Sequence, residues 1–304
     1  MTRSAEMVID RKRLKASLNF WRLLAFISIT LIGIVFANNS GLFKNSEFIA
    51  RLSITGIITD NNARNKILKE IENDQSIKAL IVKIDSPGGT FLGGETLFQG
   101  IRKIAKKKPV VSLLGGTATS AAYLTAIGAD YIVAHAGTLT GSIGVILQSA
   151  DLTGLLNNLG IKPEIVKSGD LKGQPNPLEN FSEKARKITL RVVNDFYAMF
   201  VDIIAERRSL QRETVLRLAD GRLFSGRMAL THGLVDLVGS EEDAKKWLEI
   251  SHSLDPSLSI IDVKISEEPD IWKRIRKLVL GENLISERLR LDGVLSLWQP
   301  SSQF

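Results

Sequence analysis

A serine, a lysine and a pair of glycines are the residues of this 304-residue chain whose types and settings suit covalent chemistry. Ser120 follows the β-branched run "PVVSLL" (109–114) and opens the small, apolar stretch "SAAYLTAIGA" (120–129). A serine where a buried strand turns into a helix has two readings. It is a preferred N-cap residue, its oxygen accepting from the first N–H groups of the helix. Alternatively it is a nucleophile, and the helix N-terminus then favours the negative charge that an attack develops.

The nucleophile reading needs donors for that charge. "DSPGGT" (85–90) follows the apolar run "KALIVKID", so its N–H groups lie at a strand's carboxyl end, where α/β sheets place ligands. Gly88 and Gly89 can present N–H groups to an oxyanion with no side chain in the way. A plain turn is the other reading of Pro-Gly.

A base is needed too. The three histidines are His135 beside "DYIVA", His232 in "THG" and His252 in a polar linker, and each reads as a surface or turn residue. A lysine serves when desolvation keeps its amine neutral. Lys172, in "KSGDLKG" (167–173), stands among Gly, Leu and Pro rather than in a solvated charge run. No metal or nucleotide motif is present, and the chain has no cysteine, so no disulfide reports on its compartment.

The elements that must position these residues alternate strand and helix. "FIARLSITGII" reads as strand, "NNARNKILKEIEND" as an amphipathic helix, "KALIVKID" as a buried strand and "GETLFQGIRKIAKKK" as a second helix. "PVVSLL" is a strand and "TSAAYLTAIG" a helix. "DYIVA" and "LTGSIGVIL" are short strands, and "LTGLLNNLG" is a helix closed by Gly160. The loop "GDLKGQPNPLENFS" follows, then a long helix from Ser182–Glu183 to about Arg208, and a turn, helix and strand in "GRLFSGRMALTHGLVDLVGS". That order predicts an α/β sheet covered by helices. "DIWKRIRKLV" (270–279) reads as a basic amphipathic surface helix.

The N-terminus differs from the rest. "RKRLK" (11–15) precedes "FWRLLAFISITLIGIVFA" (20–37), which is apolar except for Arg22, Ser28 and Thr30. As a helix that segment rises about 27 Å, enough to cross a bilayer, with Arg22 able to snorkel at its edge. The basic flank predicts a cytoplasmic N-terminus and residues 40–304 on the far side. A cleaved signal peptide ending at Val35–Ala37 is the alternative. Of the net charge of +7, residues 1–22 carry +4, so the rest shows no need of nucleic acid as partner.

Five segments in order, "IDSPGGT", "TATSAAYLTA", "ADYIVAHAGTLTGSIGVI", "KSGDLKG" and "ADGRLFSGRMALTHGLVD", resemble the signal peptide peptidase A family in its short, single-unit form. The resemblance implies the α/β spiral of the Clp protease and crotonase superfamily, preceded by one transmembrane helix. It implies Ser120 as nucleophile, Lys172 as general base, and an oxyanion hole from Gly88 or Gly89 with the N–H of Ala121. Ser142 would carry the hydroxyl that orients the lysine amine. Ala121 and Ala122 stand where the family commonly has glycines, and their methyls are expected to crowd a substrate backbone. Phe91 and Leu92 are expected to shape a pocket.

The activity implied is that of a serine endopeptidase degrading remnant signal peptides, without metal or other cofactor. It would face the periplasm from the bacterial inner membrane. Alternatives are a stomatin-cleaving membrane protease with the same dyad, or a non-catalytic membrane assembly protein of the same fold. The expected organisation is a basic N-terminus (1–19), anchor (20–37), linker (38–46), protease domain (47–250) and C-terminal extension (251–304). Lys172 lies on an irregular loop 52 positions after Ser120, and members of the family form rings. A homo-oligomeric ring with sites between subunits is therefore expected.

Overall fold

The computed structural model describes residues 15, 17–32, 47–264 and 295–297. Met1–Glu47 and Phe48–Phe304 are separate compact units. In the first, residues 17–32 are helical, and Thr30 Oγ1 donates to the Phe26 carbonyl at 2.8 Å, so that hydroxyl is satisfied within the helix. Residues 33–37 of the expected span lie outside the described residues. Among the described residues no helix is long and apolar enough to cross a membrane.

The second unit opens with β1 (Phe48–Thr55), α1 (Asn62–Asn73), β2 (Ile77–Ser86), β3 (Gly88–Thr90) and α2 (Phe91–Ala105). Next come β4 (Val110–Thr119), α3 (Ala121–Ala126), β5 (Tyr131–Ala134), β6 (Leu139–Gly141) and α4 (Thr153–Asn158). The chain continues through α5 (Glu183–Arg208), α6 (Arg212–Leu218), β7 (Leu223–Ser225), α7 (Gly226–Thr231) and β8 (Leu237–Val238). It closes with α8 (Glu241–His252), β9 (Ser259–Val263) and β10 (Leu295–Leu297). The fold is mixed α/β. The main sheet runs β7-β6-β4-β2-β1-β9, with β5 and β8 branching from β4, and every pairing in it is parallel except β6–β7.

Both faces of this sheet are covered, which is why its central strands read as continuous apolar runs. On β2, Leu80, Val82 and Ile84 enter the larger core while Ala79 and Ile81 enter the smaller one. The larger core is completed by α1, α2, α3 and α5, and the smaller by Ala244 and Leu248 of α8. Arg51 ties β1 to β9 and α8 through Asp262 (2.6 Å) and Glu241 (2.7 Å).

β4 carries the geometry that matters. Its first half pairs with β5 and its second half with β6, on the same side. Against β2 its register slips between the pairs Ile84–Leu114 and Ser86–Ala118. Gly115, Gly116 and Thr117 there stand against the single residue Asp85, and a Cβ on Gly115 would stand 3.1 Å from that of Asp85. Such a bulge bends and re-aims the strand end, here the end that leads to Ser120.

Two elements differ from the sequence reading. α2 begins at Phe91 rather than at Gly94, because Thr90 caps it by accepting from the Gly93 N–H at 3.1 Å. The strand expected through "LTGSIGVIL" stops at Gly141, because Ser142 turns to φ 48°.

Candidate active site

Ser120 is the single residue between β4 and α3. Its backbone stands at φ 59°, ψ −122°, which only glycine adopts without strain. The residue occupies the N-cap position, yet its side chain makes no cap hydrogen bond. The capping reading therefore has no bond to support it. Ser120 is held by its main chain instead: its N–H donates to the Gly141 carbonyl (2.8 Å) and its carbonyl accepts from the Leu124 N–H (2.9 Å).

Buried hydroxyls brace this turn, and sequence reasoning missed them. Thr119 Oγ1 donates to the Pro87 carbonyl at 3.0 Å, joining the end of β4 to the loop before Gly88. Thr140 Oγ1 donates to the Ala118 carbonyl at 2.7 Å. One turn below Ser120, the fully buried Tyr123 donates to the Leu234 carbonyl at 2.8 Å, and burial raises its phenol pKa. Arg208 grips Asp236 through two bonds (2.6 and 2.9 Å) and donates to the Gly233 carbonyl, fixing the segment that receives Tyr123. The alternating hydroxyls of "TATS" were the one signal in the sequence for Thr119.

The glycine pair forms β3. Gly88 stands at φ 106°, and its N–H donates to Ser86 Oγ at 3.1 Å. The Ile58 N–H donates to the Gly88 carbonyl and the Thr90 N–H to the Ile58 carbonyl, both at 2.8 Å. Because polar groups alternate along a strand, the N–H and carbonyl of Gly89 face the opposite edge. A Cβ on Gly89 would lie 1.8 Å from the Ile58 oxygen, so no other residue fits. Of the N–H groups expected to meet an oxyanion, that of Gly88 is engaged by Ser86. The Ala121 N–H is the first of α3 and has no intrahelical acceptor.

Ser142 follows Gly141, the acceptor of the Ser120 N–H, and its own N–H donates to the Arg222 carbonyl at 2.8 Å. The structure thus brings Ser142 beside Ser120. Lys172 is different. It lies exposed in a turn, its N–H donates to the Gly169 carbonyl (3.0 Å), and its side chain makes no hydrogen bond or ion pair among the described residues. Neighbouring Lys167 is instead paired with Glu179 at 2.6 Å, which holds that carboxyl below its ordinary pKa. Ser120 is buried, whereas Lys172 is exposed.

No histidine replaces the lysine. His135 is exposed, His232 lies edge-on to Phe224 and His252 edge-on to Trp247. None of the three hydrogen-bonds to Ser120. Among the described residues no cluster of three or more His, Asp or Glu side chains could hold a metal ion.

Two expectations about the surroundings change. Ala121 and Ala122 are fully buried, the first against Gly94, whose added Cβ would meet its methyl at 3.0 Å, the second in the larger core. Their methyls pack inward instead of crowding a substrate. Phe91 is core too, its ring 4.9 Å from that of Phe196 and 6.4 Å from that of Phe200, so of the proposed pocket residues only Leu92 is exposed.

Comparison with known proteins bears on what this geometry serves. The model of peptidase family S49 matches residues 102–255, which contain Ser120, Ser142 and Lys172. A Synechocystis sp. protein named as a protease is 35% identical over 245 residues, covering 79% of this chain and 87% of its own length. An Enterococcus faecium protein named as a signal peptide peptidase SppA is 34% identical over 214 residues, 66% of this chain and 62% of that one. A solved membrane-bound stomatin-specific protease is similar at 16% identity and a TM-score of 0.47, over 72% of this chain and 98% of that one. With the family model spanning half the sequence and a relative matched over most of its length, the chain belongs to peptidase family S49 and is a serine protease.

Proposed function

We propose that this protease is a membrane-anchored endopeptidase whose nucleophile is Ser120 and whose general base is Lys172 supplied by an adjacent subunit. The observation that carries the reading is the backbone of Ser120: a non-glycine residue in a strained strand-to-helix turn, its side chain making no cap, braced by Thr119 against the loop of Gly88 and Gly89. Strain of this kind persists where the surroundings enforce it, and functional sites are where it concentrates.

In the chemistry proposed, the neutral Lys172 amine takes the Ser120 proton as Oγ attacks the scissile carbonyl. The N–H groups of Gly89 and Ala121 receive the oxyanion. Collapse of the tetrahedral intermediate breaks the C–N bond, and the lysine ammonium gives its proton to the leaving amine. Water, activated by the same amine, then hydrolyses the acyl-enzyme. Ser142 orients the amine through its hydroxyl.

The substrates proposed are remnant signal peptides, cleaved on the periplasmic side of a bacterial inner membrane. The first unit supports that placement: its helical residues 17–32 leave Phe20, Trp21 and Phe26 more than half exposed, as a lipid-facing helix would. The forked pairing of β4 with β5 and β6 is consistent with a Clp protease and crotonase type of spiral.

Sharing of the site between subunits follows from Lys172 being exposed on a segment that also exposes Leu159, Ile161, Ile165 and Val166. A patch of that kind on a monomer marks an interaction surface. Head-to-tail contacts of this sort close into rings. The test is complementation. Ser120→Ala and Lys172→Ala chains, each inactive, should recover about a quarter of wild-type activity when co-expressed, because random mixing leaves one interface in about four intact. Mixed oligomers that form and stay inactive would exclude the shared site.

A further inference from the structure

Arg64 is a buried cation that the proposed chemistry does not use. It lies in the first turn of α1, 8% exposed, with its N–H donating to the capping oxygen of Asn61 at 3.0 Å. Its guanidinium donates to the Thr59 carbonyl, while the buried Nε meets no acceptor and the side chain makes no ion pair among the described residues. Asp60 is the carboxylate whose charge favours the cation, yet it is exposed and accepts from Asn65 instead at 2.9 Å. Burial accordingly lowers the Arg64 pKa. A desolvated cation without a carboxylate partner is destabilising, and the first turn of a helix disfavours positive charge as well.

The segment that Arg64 grips is the flank of β3. Ile58 lies beside Gly89 in a parallel bridge, its N–H donating to the Gly88 carbonyl and its carbonyl accepting from the Thr90 N–H, both at 2.8 Å. Thr59 packs on the start of α2, where a Cβ on Gly93 would stand 2.8 Å from its carbonyl carbon. Residues 58 and 59 are thus wedged between two glycines, Gly89 on β3 and Gly93 on α2. In packing that close, a shift of the segment displaces the strand with it.

We infer that Arg64 is a positioning residue for the oxyanion strand: its hold on Thr59 keeps Ile58 seated against Gly88–Thr90, so that the Gly89 N–H points to where the oxyanion develops. This rests on the reading of Gly89 as an oxyanion donor. Arg64 itself touches no reacting atom and acts through Thr59 and Ile58. An oxyanion donor works in the transition state, where a misplacement of about 1 Å costs about 100-fold in rate. The loss then falls on kcat, with KM nearly kept. A group that lowers stability yet serves the site is the pattern of a stability–activity trade-off.

The test is Arg64→Met and Arg64→Lys in the full chain. Methionine removes the charge and the donor while keeping an apolar stem, and Thr59 is exposed, so water can satisfy its freed carbonyl. The urea midpoint of the methionine variant should equal or exceed that of wild type. Its kcat for an apolar peptide should fall about 100-fold with KM within about three-fold of wild type. Amide exchange at Thr90, whose N–H bonds the Ile58 carbonyl, should speed up. Lysine keeps a donor able to reach backbone carbonyls, as Lys108 does at Ile71 (2.6 Å), and should restore kcat well above the methionine variant. Unchanged exchange at Thr90 overturns the inference, as does a urea midpoint below wild type in the methionine variant or a lysine variant no faster than it. Failure of the underlying reading is distinguishable: exchange at Thr90 would speed up while kcat stayed at the wild-type value, showing a strand that Arg64 seats and catalysis does not use.

Discussion

Replacing Ser120 by alanine and, separately, by glycine isolates the backbone strain from the hydroxyl. Both variants lose the nucleophile, and only alanine keeps the Cβ that φ 59°, ψ −122° disfavours. Relieving that strain should return about 1–3 kcal/mol. Against this stand about 0.8–1.0 kcal/mol for glycine's greater freedom in the unfolded chain and up to about 0.8 kcal/mol for one buried methyl. The same exchange at Ala122, fully buried in α3, carries the two penalties without the relief. Ala122→Gly should therefore cost about 1.5–2 kcal/mol, whereas Ser120→Gly should lie between about 0.8 kcal/mol less stable and about 2 kcal/mol more stable than Ser120→Ala. Urea unfolding of the four proteins, read by circular dichroism at equal m-values, measures both differences. If Ser120→Gly falls below Ser120→Ala by as much as Ala122→Gly falls below wild type, the turn is unstrained and the argument from its backbone fails.

Gly89→Ala should abolish activity and lower soluble yield, since its Cβ would lie 1.8 Å from the Ile58 oxygen; wild-type yield and turnover would show that β3 shifts freely. Lys172→Arg should be as inactive as Lys172→Ala, because a guanidinium stays protonated and accepts no proton. Appreciable turnover by the arginine variant would exclude a lysine base. For wild type, kcat/KM should show no limb near pH 6.5, where an imidazole base would lose its proton. A limb there that disappears in His135→Ala would assign the base to histidine.

The sheet was legible because its strands are buried on both faces, so "KALIVKID" and "PVVSLL" stand out as apolar runs without needing alternation. The long helix to Arg208 was legible from its 3.6-residue periodicity and its cap at Ser182, which accepts from the Ala185 N–H. Positive backbone angles were not. Ser120 and Ser142 adopt φ values that sequence assigns to glycine, and both depend on partners far along the chain: Gly141 for Ser120 and Arg222 for Ser142. The direction of a methyl was equally hidden, since Ala121 turns inward only because Gly94 of α2 leaves room for it. Phe91 looked like a pocket residue while its partners, Phe196 and Phe200, lie a hundred positions away. β10 has no local signature at all, because a three-residue strand is defined by the edge it meets.

The central claim is that Ser120 is the nucleophile of this protease. Treating the full-length protein with a fluorophosphonate probe and mapping the adduct by mass spectrometry tests it most directly. The account predicts one adduct, on Ser120, lost in Ser120→Ala and sharply slowed in Lys172→Ala. An adduct on another serine, or equal labelling of the Ser120→Ala protein, would contradict it.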